Sequence, residues 1–274
     1  MEIAMLHDMS KCTACRACTV ACKQWKDLPA EKTPFIGEYQ SHPDLSPKTY
    51  TIIRMSERVE GDKFHWDFLK FQCMHCGDAG CVKACPEEAL TYADNGVVSF
   101  NADNCVGCGY CVTNCPFGVP HIDEAAKKST KCNLCEDRIA EGMTPSCAQT
   151  CTANALVFSR RDKIVQMAEE RVAELRKTNP RAQTYGIDEQ GVGGTHMIYV
   201  LEDTPDVYGL PVNPQVPISL TLWKDLVQPL GKLAMGGALA VAATSFILNR
   251  RNKGLQHSTD HDGVGHDGKK GVDA

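Results

Sequence analysis

Residues 105–116 read CVGCGYCVTNCP. Cysteines separated by two, two and three residues and followed by proline place three thiolates on one tight turn, where they cap three corners of a cubane. The fourth lies on the helical turn that follows and reaches a neighbouring cluster. Gly107 and Gly109 between the ligands let backbone amides approach the sulfurs, and such hydrogen bonds tune a cluster's potential. Cys105, Cys108, Cys111 and Cys115 therefore read as iron–sulfur ligands that require a partner set.

Upstream, CMHCGDAGCVKACP (73–86) repeats the pattern with two extra residues before its third ligand. Both sets end in Cys-Pro and lie side by side, so they pair as one two-cluster module. Cys73, Cys76 and Cys81 are completed by Cys115; Cys105, Cys108 and Cys111 are completed by Cys85. Farther out, CTACRACTVACKQW (12–25) keeps the spacing but has Lys23 where proline is expected. CNLCEDRIAEGMTPSCAQTC (132–151) is followed by Thr152. By elimination these outer sets exchange last ligands. Cys151 joins Cys12, Cys15 and Cys18, and Cys22 joins Cys132, Cys135 and Cys147. Taken alone, the fourth set also suits a four-cysteine zinc site; beside a full motif and two near-copies it reads as a cluster set.

All sixteen cysteines of the 274-residue chain fall in these quartets. Disulfide frameworks of that density belong mostly to short secreted domains and give no reason for quartets. Four [4Fe–4S] clusters are expected, with no separate metal site. The net charge of −5 gives no reason to expect nucleic acid. No nucleophile–base constellation, phosphate loop or flavin fingerprint is present, which points to electron transfer rather than catalysis.

The expected fold is α+β. Two ferredoxin-like modules are related by a pseudo-twofold, the inner one (about 70–125) inserted in the outer (about 1–30 plus 126–160). TYTIIRM (49–55), GVVSF (96–100) and ALVFS (155–159) read as strands of small hairpins. Ile164, Ala168, Val172 and Leu175 recur at helical spacing, which predicts an amphipathic helix over 162–177 with Asp162 as its cap. THMIYVL (195–201) predicts a strand and closes a cluster-bearing domain of residues 1–201.

Pro205, Pro211, Pro214 and Pro217 predict an extended connection over 202–223. Leu233 to Leu248 is an unbroken apolar or small-residue run of roughly 24 Å as a helix. Counting from Leu226, at the cost of Lys232 and Pro229, it reaches bilayer length. A transmembrane helix over 224–249 is expected, a buried core helix being the alternative, with Trp223 at the interface and a disordered tail over 250–274. Arg250, Arg251 and Lys253 outnumber Lys224 and Lys232, which places the C-terminus in the cytoplasm and the cluster domain outside it. MEIAMLHDMSK, ahead of Cys12, lacks the apolar core and cleavage site of a signal peptide. His75 reads as packing beside its ligands, Trp25 and Trp66 as core around the clusters, and His257, His261 and His266 as a solvated tail.

Together with ERVAEL (170–175), GVGGTHMIYVL (191–201) and YGLP (208–211), these motifs cover nearly the whole chain. It resembles the four-cluster iron–sulfur subunits that accompany molybdopterin oxidoreductases, and within them the β subunits of membrane-bound respiratory formate dehydrogenases. The resemblance implies a catalytic subunit with a molybdenum or tungsten bis-pterin, a membrane cytochrome b subunit, and the same first-with-fourth pairing. It implies that the Cys12 cluster faces the catalytic subunit and the Cys132 cluster faces the haem. It also implies export of the folded domain with a partner carrying a twin-arginine signal, to a single-pass position on the bacterial inner membrane. The alternatives are a similar wire for a hydrogenase or another molybdopterin reductase, and a zinc-stabilised scaffold.

Overall fold

The computed structural model describes residues 1–37 and 39–259, of which 251–259 as helical backbone alone. Met1–Leu220 form one unit and a second begins at Thr221.

The strands are β1 (Ile3–Asp8), β2 (Ile52–Glu60), β3 (Lys63–Phe71), β4 (Leu90–Tyr92), β5 (Val98–Phe100), β6 (His121–Asp123), β7 (Lys128–Thr130), β8 (Leu156–Arg160), β9 (Gln183–Tyr185) and β10 (Met197–Leu201). The helices of the first unit are α1 (Ala17–Trp25), α2 (Gly80–Ala84), α3 (Tyr110–Thr113), α4 (Glu136–Ala140), α5 (Ser146–Gln149), α6 (Arg161–Leu175) and α7 (Gln190–Gly193), the last interrupted at Gly191.

A four-stranded sheet of order β8-β1-β10-β9 backs the cluster-bearing loops. β1 pairs parallel with β10 and antiparallel with β8, so the chain's start is clamped between segments far along it. Every residue of β1 and β10 is buried, because both faces of the sheet are covered. On one face Ala4, Leu6, Ile198 and Val200 meet Ile164, Ala168 and Val172 of α6. On the other, Met5, Met197, Tyr199 and Leu201 pack among cluster-set cysteines.

Three antiparallel hairpins, β2–β3, β4–β5 and β6–β7, carry the loops between cysteine sets. The strand read at 155–159 does not form such a hairpin; as β8 it is an edge of the main sheet. α6 starts and ends slightly earlier than its periodicity predicts. Asp162 lies inside its first turn, where its carboxylate pairs with Arg160, and the N-cap residue Arg160 makes no side-chain cap. The proline-rich stretch does not run free. Pro205 opens a 3-10 turn, Pro205–Tyr208, and Tyr208, Leu210 and Val216 are buried in the cluster-bearing core. Prolines fix φ, but the apolar residues between them still gain by burial.

At the C-terminal end, α8 (Ile218–Thr221), a π-helical stretch (Leu222–Val227) and α9 (Gln228–Thr259) follow. Pro229 cannot donate to the carbonyl four residues back and its ring would crowd that group; the wide π turn just upstream absorbs the mismatch. Ile218–Arg250 is a 33-residue helical segment whose most apolar 18-residue window has mean hydropathy 1.5, with none of that window buried. This is long enough to cross a bilayer, and the helix begins earlier and runs further than residues 224–249. The tail expected from 250 is helical to Thr259; residues 260–274, with His261 and His266, lie outside the described residues.

Candidate metal centres

All four cysteine sets fold on the same turn. The residue two places after each first cysteine is left-handed: Ala14 (φ 53°), His75 (φ 49°), Gly107 (φ 72°) and Leu134 (φ 54°). Such a turn points successive amides at one anionic atom. Leu134 N–H donates to Cys132 Sγ at 3.3 Å, and the Ala14 amide serves Cys12 in the same way. Cys105 Sγ takes its amide from Ser129 of β7, also at 3.3 Å. Gly107 meets a second demand, since a Cβ there would lie 2.3 Å from the Lys127 carbonyl oxygen.

Helix packing decides which thiols meet. α1, carrying Cys18 and Cys22, packs on α5, which carries Cys147 and ends just before Cys151; α2 packs on α3 in the same way. Cys12, Cys15, Cys18 and Cys151 line one cavity together with His7 and Lys70. Cys85 lines another with Cys105, Cys108 and Cys111. Cys22 is within electrostatic reach of Cys135 and Cys147, and also of Cys132. Cys115 is within reach of Cys73, Cys76 and Cys81. Each last cysteine thus lies with another set's first three.

The four groups also fall in one order. Cys18 lies within reach of Cys147, Cys132 of Cys73, and Cys81 of Cys111. The sequence of groups is therefore first set, fourth set, second set, third set. The resemblance put the Cys132 group at the haem end, but it is interior. With α1 packed on α5 and Cys18 and Cys22 both within reach of Cys147, the first and fourth sets are neighbours and cannot lie at opposite ends of a line of four. Exposed ligands mark the two ends, Cys15 in the first set and Cys108 in the third.

The donor set fits [4Fe–4S] groups. None of the sixteen cysteines is in a disulfide. Burial, followed by Cys147, pushes the Cys22 thiol up to about 12, and burial, followed by Cys73, pushes Cys81 to about 12. Thiols so crowded become thiolates only where metal charge compensates them. Among the described residues His7, buried against the first-set cavity, has no hydrogen-bond partner for either ring nitrogen, and His75 has none for Nε2. The fourth set shares its turn with the other three, so it joins them rather than forming a zinc site.

His75 is fully buried and its Nδ1 accepts from Val98 N–H at 3.2 Å, which makes it packing. The two tryptophans are not core. Trp25 is 41% exposed, donates to Asp137 at 2.7 Å and has Arg138 4.2 Å above its ring, tying α1 to α4. Trp66, 48% exposed, stacks with Tyr39 and Phe68 on the outside of β3. Trp223 is exposed on the π-helical stretch. Of His257 only backbone is described. Lys70 and His7, both at a cavity wall, were missed by sequence reading, because nothing local marks a lysine or histidine as buried.

Paired cysteine sets in line, with an apolar C-terminal helix, define a multi-cluster iron–sulfur electron-transfer protein anchored at a membrane. Family models agree: 4Fe-4S dicluster domains match residues 11–89 and 64–161, and a model described as formate dehydrogenase N, transmembrane, matches 216–257. Similar proteins are the formate dehydrogenase iron–sulfur subunit of Haemophilus influenzae, 42% identical over 254 residues (90% of this chain, 80% of that one), and the nitrate-inducible formate dehydrogenase iron–sulfur subunit of Escherichia coli K12, 41% identical over 247 residues (88% and 82%). The formate dehydrogenase-O iron–sulfur subunit of the same organism is 42% identical over 249 residues (89% and 82%). The chain belongs to the family of formate dehydrogenase iron–sulfur subunits. It carries four [4Fe–4S] clusters and transfers electrons; it is not the catalytic subunit.

Proposed function

We propose that this chain is the electron conduit between a formate-oxidising catalytic subunit, holding a molybdenum or tungsten bis-pterin, and a membrane cytochrome b subunit that reduces quinone. The observation that carries this reading is the unbroken line of thiol groups with an exposed ligand at each end. Bound clusters would supply one-electron carriers along that line. Cys12, Cys15, Cys18 and Cys151 hold the first; Cys132, Cys135, Cys147 and Cys22 the next; Cys73, Cys76, Cys81 and Cys115 the third in line; and Cys105, Cys108, Cys111 and Cys85 the last. The inner module (about 70–125) and outer module (about 1–30 plus 126–160) each hold two.

The chain's own contribution is to exclude water from the sulfurs, aim amides at them and keep neighbouring groups close. The cluster domain lies on the periplasmic side and the C-terminus in the cytoplasm, which is supported by Arg250, Arg251 and Lys253 after the span. Gentle detergent purification should yield a molybdopterin subunit and a cytochrome b with formate-to-dye activity; co-purification of a hydrogenase large subunit without that activity would overturn the reading. Protease added to intact spheroplasts should cleave the cluster domain, and protection there would reverse the orientation.

A further inference from the structure

Lys70 is the next-to-last residue of β3 and is fully buried. Its side chain forms part of the wall of the first-set cavity, beside Cys12, Cys18 and Cys151. It also lies within electrostatic reach of Cys22, Cys132 and Cys147 of the fourth group. Among the described residues its Nζ has one hydrogen-bond partner, Gln72 Oε1, although an ammonium carries three donors. Gln72 is itself held by its Nε2 donating to Met197 Sδ at 3.4 Å, and the Lys70 carbonyl oxygen accepts from Tyr199 Oη at 2.9 Å. The residue is clamped by the chain just after β3 and by β10. The charged groups that act on it most strongly are the sulfurs of Cys147, Cys18, Cys132 and Cys22.

A buried ammonium without a carboxylate is costly unless other negative charge meets it. Here the available negative charge is that of the thiolate-ligated clusters on either side. We propose that Lys70 is a shared cation between the clusters of the first and fourth sets that holds both at a higher reduction potential than their thiolate ligation alone would give. When one electron enters either cluster, the thiolate-bound unit gains one negative charge and no bond is made or broken. The fixed ammonium favours that reduced state by Coulomb attraction, strong where water is excluded. The second and third sets lie beyond Lys70 in the line; the buried cation acting on the second set is a different one, Lys131, which reaches Cys81. Lys70 is a positioning residue for charge, and it touches no substrate.

This inference rests on the four-cluster conduit proposed above. EPR-monitored redox titration of the purified membrane complex tests it. Lys70→Met keeps most of the stem and removes the charge; two of the four midpoints should move down, with reduction at fixed potential at least tenfold less favourable, ~59 mV for a one-electron couple. Lys70→Arg should restore them. Unmoved midpoints at full iron content, an equal shift in all four, or the same shift in Lys70→Arg would overturn it. Should Lys70→Met lose a cluster, Gln72→Glu places a carboxylate on the ammonium and should lower the same two midpoints; no movement there also overturns the inference. Wild-type complex lacking four cluster signals or formate-driven reduction would instead defeat the conduit reading, so the two failures are distinguishable.

Discussion

Replacing Cys22 with serine separates the ligand exchange from every simpler arrangement. Cys22 sits on α1, buried, four residues after Cys18, yet the cysteines that act on it most are Cys147 and Cys135 of the distant fourth set. Serine removes one of four thiolates from the fourth-set group and leaves Cys12, Cys15, Cys18 and Cys151 intact. If that cluster is lost, iron falls from about 16 to about 12 atoms per chain. The missing EPR signal should be the one missing in Cys135→Ser, and should differ from the one missing in Cys12→Ser. Because the fourth group lies between the first and the second, formate-to-quinone turnover should stop. Formate-to-dye activity, which can draw electrons before that point, should survive. A Cys22→Ser spectrum that matches Cys12→Ser would refute the exchange. Quinone turnover that persists without the fourth-set signal would refute the order.

Other outcomes follow from packing and burial. Ile164→Ala removes a fully buried side chain between α6 and the sheet; it should cost about 2–5 kcal/mol in guanidinium unfolding while iron content holds, since the sheet separates α6 from the clusters. Gly77→Ala would place a Cβ 2.2 Å from the Gly193 carbonyl oxygen, between the second set and the 191–194 loop. That variant should lose the second-set cluster by iron assay, and full occupancy would show that the contact yields. His196 is held below its ordinary value of 6.5 by burial, with Nδ1 2.6 Å from the Ile3 carbonyl oxygen. The unfolded chain therefore takes up the proton first as pH falls, so this contribution to stability is complete above about 6.5 and is lost below it. Unfolding midpoints at pH 7.5 and 5.5 should differ more for wild type than for His196→Asn; equal differences would refute the assignment.

Local features were legible where covalent spacing fixes them. The cysteine sets, the α6 stripe of Ile164, Ala168 and Val172, the β10 run and the apolar anchor could each be read from neighbouring residues. β1 could not. Its IAMLHD is buried throughout and shows no alternation, and its partner β10 lies nearly two hundred residues away. β3 does alternate, Lys63, His65 and Asp67 with Phe64, Trp66 and Phe68, but the pattern points the wrong way: Phe64 and Trp66 are exposed while Asp67 and Lys70 are buried. The shared left-handed turn is not legible in the sequence because glycine marks it in only one set; His75 adopts it too, and Ala14 and Leu134 adopt it where their amides serve the Cys12 and Cys132 sulfurs.

The sequence by itself determined that four cysteine quartets exist, that they suit iron–sulfur clusters and that an apolar helix follows, since each is a pattern within a stretch of at most a few tens of residues. Only the tertiary structure decided the order of the groups, which ligands reach the surface and that a lysine lies between two of them. Those depend on α1 meeting α5, α2 meeting α3, and β3 carrying Lys70 inward, contacts between segments far apart along the chain.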